Sequence, residues 1–255
     1  MSCPWTERLP KEKTAVLLTL EPEDADAMDA LFTDARLSLA DGVEWRLDAD
    51  PSFLSQDAAA RRAQIERGAA LLGDKPLLLT MRTTREGGKA ALAGEAYIAC
   101  LKELIALPLD VCLDVEWKRA GLMARSLARA AHEAGKAVLF SVHDVNTTPS
   151  LMDLLALYEE MWADGGDVAK LAVMARSSAD VLTALNAASI AGERHPEKEL
   201  IALSMGAFGK ISRVGTSLST SHMTFACLDA PAAPGQMEIQ TVRRLLDILE
   251  PSHSA

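Results

Sequence analysis

The chain has 255 residues, 49 % hydrophobic and 24 % charged, the balance of a soluble globular protein long enough to bury a full core. Its formal net charge of −10 argues against nucleic acid or an anionic membrane as partner, and an anionic ligand would need a local cluster of cations. Cys3, Cys100, Cys112 and Cys227 lack CxxC or metal-ligand spacing, no apolar stretch reaches membrane-spanning length, and residues 1–8 lack a secretion signal, so the expectation is a cytoplasmic protein with free thiols and no metal.

Short β-rich runs alternate with helical patterns along the chain. The run 14–20 precedes a helix over 24–40, whose first turn is crowded with acidic residues that the helix dipole favours. The run 42–48 is followed by a helix over 58–72, and 76–82 by a loop and a helix over 90–106. The run 110–116 leads to a helix over 122–134 that stops at Gly135. The run 136–143 leads to a helix over 150–163, and 168–174 to a helix over 181–191 with Ser177 and Ser178 available as caps. The run 199–205 precedes a glycine-bearing segment with a short helical piece. The run 221–228 precedes a loop, 229–236, placed to act as a lid, and a terminal helix over 236–249.

Eight strand–helix pairs in this order predict parallel strands with right-handed crossovers, closed into a single (β/α)8 barrel over residues 1–255. No Gly-x-Gly-x-x-Gly follows the first run, which weakens a dinucleotide-binding alternative.

Alternation along the strands then sorts the polar residues. The apolar face of each strand must meet the helices, so the opposite face looks inward. That places Glu44, Arg46, Asp48, Arg82, Asp114, Glu116, His143 and Lys170 in one interior, toward the C-terminal mouth. A purely structural barrel fills that space with Val, Ile and Leu, so this many ionisable groups on five neighbouring strands indicate an active site. Trp45 and Trp117 are expected to face the helices.

Lys170 interrupts an otherwise apolar strand, Val168-Ala169-Lys170-Leu171-Ala172-Val173-Met174. A lone lysine in such a run often only snorkels from a strand end. A desolvated amine with a depressed pKa is instead a nucleophile toward ketones. His143 is the natural base for protons made acidic by the resulting iminium, and Glu86 in the loop after the third run can orient its imidazole. Arg46, Arg82 and Arg213 suit a carboxylate or a hydroxyl-rich substrate. His132, His195 and His253 read as solvated, and the serines and threonines around Gly215 form at most a loose phosphate cup.

In order and spacing, Glu44-Trp45-Arg46, Met81-Arg82-Thr83-Thr84-Arg85-Glu86-Gly87-Gly88, Ser141-Val142-His143-Asp144, Val168 to Met174, Met205-Gly206, Ser212-Arg213, Thr224-Phe225 and Ala233-Pro234-Gly235-Gln236 resemble the type I 3-dehydroquinate dehydratases. The resemblance covers nearly the whole chain. It implies a homodimeric shikimate-pathway barrel working without cofactor or metal. Lys170 would form an imine with the C3 ketone of 3-dehydroquinate, with His143 moving protons and Glu86 positioning it. Arg213 would meet the substrate carboxylate, Glu44, Arg46 and Arg82 its hydroxyls, and Gln236 would close over the site. Asp114 and Glu116 would stand behind these residues. The chain departs from the family at Ala232, where a substrate-contacting serine is usual, at Thr220-Ser221-His222, and at Asp144-Val145, which lack the aromatic often found after the histidine. A divergent relative acting on a similar cyclic keto-acid, a Schiff-base aldolase and a non-catalytic metabolite-binding barrel are the alternatives.

Overall fold

The computed structural model describes residues 4–250. The chain begins with α1 (Pro4–Glu7) and continues β1 (Ala15–Leu20), α2 (Ala25–Phe32), β2 (Gly42–Arg46), α3 (Ala58–Leu72), β3 (Leu77–Thr80), α4 (Gly94–Ile105) and β4 (Cys112–Glu116). It goes on through α5 (Trp117–Ala120), α6 (Ala124–Glu133), β5 (Ala137–Asp144), α7 (Leu151–Ala163), β6 (Val168–Met174), α8 (Ser178–Arg194), β7 (Glu199–Met205), β8 (Met223–Ala226) and α9 (Ile239–Leu249). All strand pairs are parallel, in the order β7-β6-β5-β4-β3-β2-β1-β8, as a (β/α)8 barrel requires. Strands β7 and β8 meet without a ladder. Their seam is bridged by a bond from Ala202 N to the Ser221 hydroxyl, at 3.3 Å.

The predicted helix over 24–40 is two pieces. α2 ends at Phe32, and Asp34 caps a 3-10 turn, Ala35–Leu39, by accepting from Arg36 N. An Asx cap inside a helical pattern competes with continuation of the helix, and here it wins. The predicted 42–48 strand likewise ends at Arg46, and Asp48 lies in the 3-10 turn Leu47–Ala49 while remaining buried. The helix over 58–72 and the strands over 168–174 and 199–205 have the predicted bounds.

Two apolar layers hold the barrel. Outward strand residues such as Val16, Leu18, Val43, Trp45, Leu79, Leu113 and Phe140 pack against the helices. Inward residues in the lower interior, Ala15, Leu17, Leu78, Cys112, Leu139, Val168, Ile201 and Met223, form a second cluster. Trp5 and Leu9 belong to that cluster and stopper the N-terminal end, where Trp5 is only 1 % exposed. Burying such a ring contributes on the order of 2–3 kcal/mol, offset in part by its buried indole N–H, which has no partner among the described residues. Trp117 packs against the helix-facing cluster as expected, but it opens α5, is only partly buried, and donates from its indole N–H to Asp164 at 2.9 Å.

Candidate active site

Above the apolar floor the inward positions change character. Thr19, Glu44, Arg46, Arg82, Glu86, His143, Lys170, Arg213, Phe225 and Gln236 line one cavity at the C-terminal mouth. Eight of the eleven residues singled out from the sequence are among them, and Asp48 instead clamps Arg46 from the 3-10 turn after β2. Asp114 and Glu116 are buried behind Arg82 instead.

Lys170 points inward from the middle of β6. Its register partner on β5 is Ser141, and His143 is one inward step further along. Strand spacing and rise then put the Lys170 and His143 Cα atoms on the order of 8 Å apart. The ammonium nitrogen lies 3.7 Å above the Phe225 ring and 3.7 Å from Glu44 Oε1. Burial holds the lysine pKa below its usual value. Glu44 and Asp114 oppose the shift, and Arg82 and Arg46 add to it.

His143 is fixed by Glu86, whose Oε2 accepts the His143 backbone N–H at 3.0 Å and lies 2.9 Å from Nδ1. Burial, then the cations Arg82, Lys170 and Arg46, push the imidazole well below its ordinary pKa. A neutral ring with its Nδ1–H on Glu86 leaves Nε2 as a free base. Burial also lifts the Glu86 carboxyl to about 8, against Arg82 and with help from Glu116 and Asp114. Arg82 Nη1 adds a third, longer contact to the same oxygen at 3.4 Å, so Oε2 is the acceptor of all three and Oε1 is left able to carry the proton.

The loop carrying Glu86 is shaped locally. Gly88 N donates to Thr83 O, and a Cβ at Gly88 would stand 2.2 Å from Arg82 O, so only glycine allows the return. Asp48 accepts from Arg82 N and Lys89 N, and Glu116 accepts from Thr83 N and Thr83 Oγ1 at 2.6 Å each. Tyr97, reaching from α4, accepts the Glu116 backbone N–H through its hydroxyl.

The arginines differ. Arg46 is clamped bidentately by Asp48 and lies 3.3 Å from Glu21. Arg82 donates to Ser141 and Asp114 and contacts Glu116 and Glu86. Burial lowers both pKa values, but the surrounding carboxylates override it and raise them. Arg213, at the end of the 3-10 turn Phe208–Arg213, has two carbonyl partners among the described residues, Phe225 O at 3.4 Å and Pro234 O at 3.3 Å, and its buried Nε has none there. Burial pushes it down to about 10.

The 229–236 loop lies across the mouth. Gly206 N donates to Pro234 O, and Gly235, at φ 83°, sits so close that a Cβ would be 2.6 Å from Gly206 O. Gln236 Oε1 accepts from Ala232 N, and its Nε2 donates to Thr19 Oγ1 and Ala226 O.

Several expectations fall elsewhere. His132 is bound to Asp167 at 2.9 Å, His195 stacks edgewise on Trp162, and His222 pairs with Glu199 away from the cavity. His253 lies outside the described residues. The Gly215 segment turns toward the other end of the barrel, where Thr216 Oγ1 bonds Thr14 Oγ1 at 2.6 Å, so it builds no phosphate cup at the mouth. Thr19 and Phe225 were missed, although strand alternation applied to β1 and β8 would have placed both inward.

Residues 16–253 match the family model described as type I 3-dehydroquinase. The chain belongs to the type I 3-dehydroquinase family. A 3-dehydroquinate dehydratase of Klebsiella pneumoniae is 40 % identical, covering 82 % of this chain and 83 % of its own. The catabolic 3-dehydroquinate dehydratase of Acinetobacter baylyi is 31 % identical over 92 % of this chain and 86 % of its own. The solved 3-dehydroquinate dehydratase of Enterococcus faecalis superposes with a TM-score of 0.87 at 31 % identity, covering 97 % of this chain and 98 % of that one.

Proposed function

We propose that this type I dehydroquinase dehydrates 3-dehydroquinate to 3-dehydroshikimate through an imine on Lys170. The observation that carries this is a buried lysine with a depressed pKa sharing one cavity with a neutral, carboxylate-held histidine and an arginine that forms no ion pair among the described residues.

The unprotonated amine of Lys170 adds to the C3 ketone. His143 Nε2 takes up a proton from water and passes it to the carbinolamine hydroxyl, water leaves, and the iminium forms. The iminium acidifies C2, and His143 Nε2 takes that proton. The enamine then expels the C1 hydroxyl, which leaves as water with the proton His143 returns. Water adds to C3 of the conjugated iminium, and the product departs as the amine is regenerated. Glu86 keeps the imidazole in the tautomer whose Nε2 is free. Arg213 takes the substrate carboxylate, Glu44 and Arg46 the ring hydroxyls, and Gln236 holds the loop shut. Arg82 is better read as the support of Glu86, Asp114 and Glu116 than as a direct ligand, because its donors are already engaged.

An aldolase using the same lysine is disfavoured by the missing phosphate cup. Among the described residues no helix is long and apolar enough to cross a membrane, and a cytoplasmic homodimer is part of the same reading. Sedimentation tests the assembly. The reaction is tested by incubation with 3-dehydroquinate, borohydride reduction and mass measurement, with enone absorbance followed in parallel. A reduced adduct on Lys170 and growing absorbance are expected, and Lys170→Ala should abolish both while remaining folded. Turnover with an unmodified lysine would refute the imine route.

A further inference from the structure

We propose that Thr19 is a positioning residue that couples closure of the 229–236 loop to the nucleophilicity of Lys170, by holding the Glu44 carboxylate off the amine. The proposal rests on Lys170 being the imine-forming residue.

Glu44 is the acidic group nearest the amine, yet its closest oxygen is 3.7 Å from Nζ, beyond hydrogen-bond reach. Two threonine hydroxyls explain the gap. Thr19 Oγ1 donates to Oε2 at 2.8 Å, and Thr80 Oγ1 donates to Oε1 at 3.0 Å. Each oxygen is therefore taken by a neutral donor. The carboxylate attracts the lysine without gripping its proton.

The remaining charges around Lys170 are otherwise engaged. Asp114, from β4, is held by Arg82 and by the Ser141 hydroxyl at 2.7 Å. Arg46 and Arg82 disfavour an ammonium, and His143, on β5, is neutral. Glu44 is thus the carboxylate free to trap the charged amine if its own hydrogen bonds loosen.

Thr19 also accepts from the loop. Gln236 Oε1 is committed to Ala232 N, which fixes the amide so that Nε2 faces Thr19 Oγ1 at 3.0 Å and Ala226 O at 3.0 Å. A hydroxyl has one proton. With Gln236 donating to its oxygen, that proton is directed to Glu44. When the loop lifts, the hydroxyl is free to rotate, and Glu44 can turn to hydrogen-bond the ammonium. The loop-open enzyme then keeps its lysine protonated, and the loop-closed enzyme releases a free amine.

A merely structural threonine would alter stability and leave the amine's titration unchanged. The test is competitive labelling of the whole protein with trace acetic anhydride from neutral to alkaline pH. Modification of the Lys170 peptide is quantified by mass spectrometry against an exposed lysine. In Thr19→Val the midpoint of Lys170 reactivity should rise by about one pH unit, leaving about tenfold less free amine below the wild-type midpoint. The kcat/KM should fall by a similar factor there and recover at higher pH. Thr19→Ser should restore both, and Gln236→Ala should shift the midpoint the same way by less. An unchanged midpoint in folded Thr19→Val, or an effect on KM alone, overturns the proposal. If Thr19→Val does not fold, an unchanged midpoint in Gln236→Ala overturns it equally. The labelling needs no substrate, so failure of the dehydratase reading would show separately, as absent turnover with the midpoint shift intact.

Discussion

Two arginines at the mouth of the barrel are almost equally buried, Arg82 at 3 % and Arg213 at 1 % exposure, and they do opposite things. Arg82, on the β3 side, is ringed by Asp114, Glu116 and Glu86, which raise its pKa despite burial. Among the described residues Arg213, on the β7–β8 side, donates to two carbonyls and forms no ion pair, with Glu44 attracting it only through space, and burial lowers its pKa to about 10. Burial of a cation is therefore not itself a functional signal. The informative quantity is whether the protein supplies the counter-charge or leaves that to a ligand.

The sharpest way to break the comparison is to delete each guanidinium. Arg82→Ala strands three buried carboxylates and should destabilise the fold by roughly 3–5 kcal/mol in urea unfolding, with activity lost because Glu86 no longer holds His143 in place. Arg213→Ala removes a cation already short of partners, so stability should stay the same or rise. Its cost should appear in kcat/KM, which should fall roughly 10- to 150-fold, the worth of a charged hydrogen bond of about 1.5–3 kcal/mol. Equal unfolding losses in the two variants would refute the distinction.

The Glu86 carboxyl sharpens it through pH. Burial lifts its pKa to about 8, above the ordinary 4.5, so between those values the native state holds a proton that the unfolded chain has released. Its contribution to stability is therefore fully present below 4.5 and is lost as pH rises toward 8. Glu86→Gln does not titrate, so the wild type should lose stability relative to it over that window. A stability difference that is flat with pH would place the Glu86 pKa in the ordinary range and leave Arg82 the dominant influence on it.

Much of this site was legible from strand alternation. Glu44, Arg46, Arg82, His143 and Lys170 all face inward as the period of two requires, because each strand has an unbroken apolar face to fix its parity. What was hidden depends on contacts between segments distant in sequence. Nothing local says that Arg82 is saturated by β4 carboxylates, whereas Arg213 meets only carbonyls from β8 and the loop. The Trp5 stopper was equally hidden, since a tryptophan in a polar N-terminal stretch carries no periodic signal. The break in the 24–40 helix was readable in principle: Thr33-Asp34 is a cap pair, overridden in the prediction by the apolar pattern around it.

The smallest effect concerns Ala232, which lines the cavity beside Gln236 and whose backbone N–H already serves the Gln236 amide. Because that bond comes from the main chain, the loop can close without a side-chain hydroxyl here, and the alanine should affect substrate affinity more than loop position. Ala232→Ser should then lower KM by up to about fivefold, the value of one added neutral hydrogen bond of about 1 kcal/mol, with kcat and thermal stability nearly unchanged. An unchanged KM would mean that a water already occupies the hydroxyl's place with equal effect. A fall in kcat instead would mean that the new hydroxyl draws Gln236 away from Thr19, and with it the closed loop on the Arg213 side of the mouth.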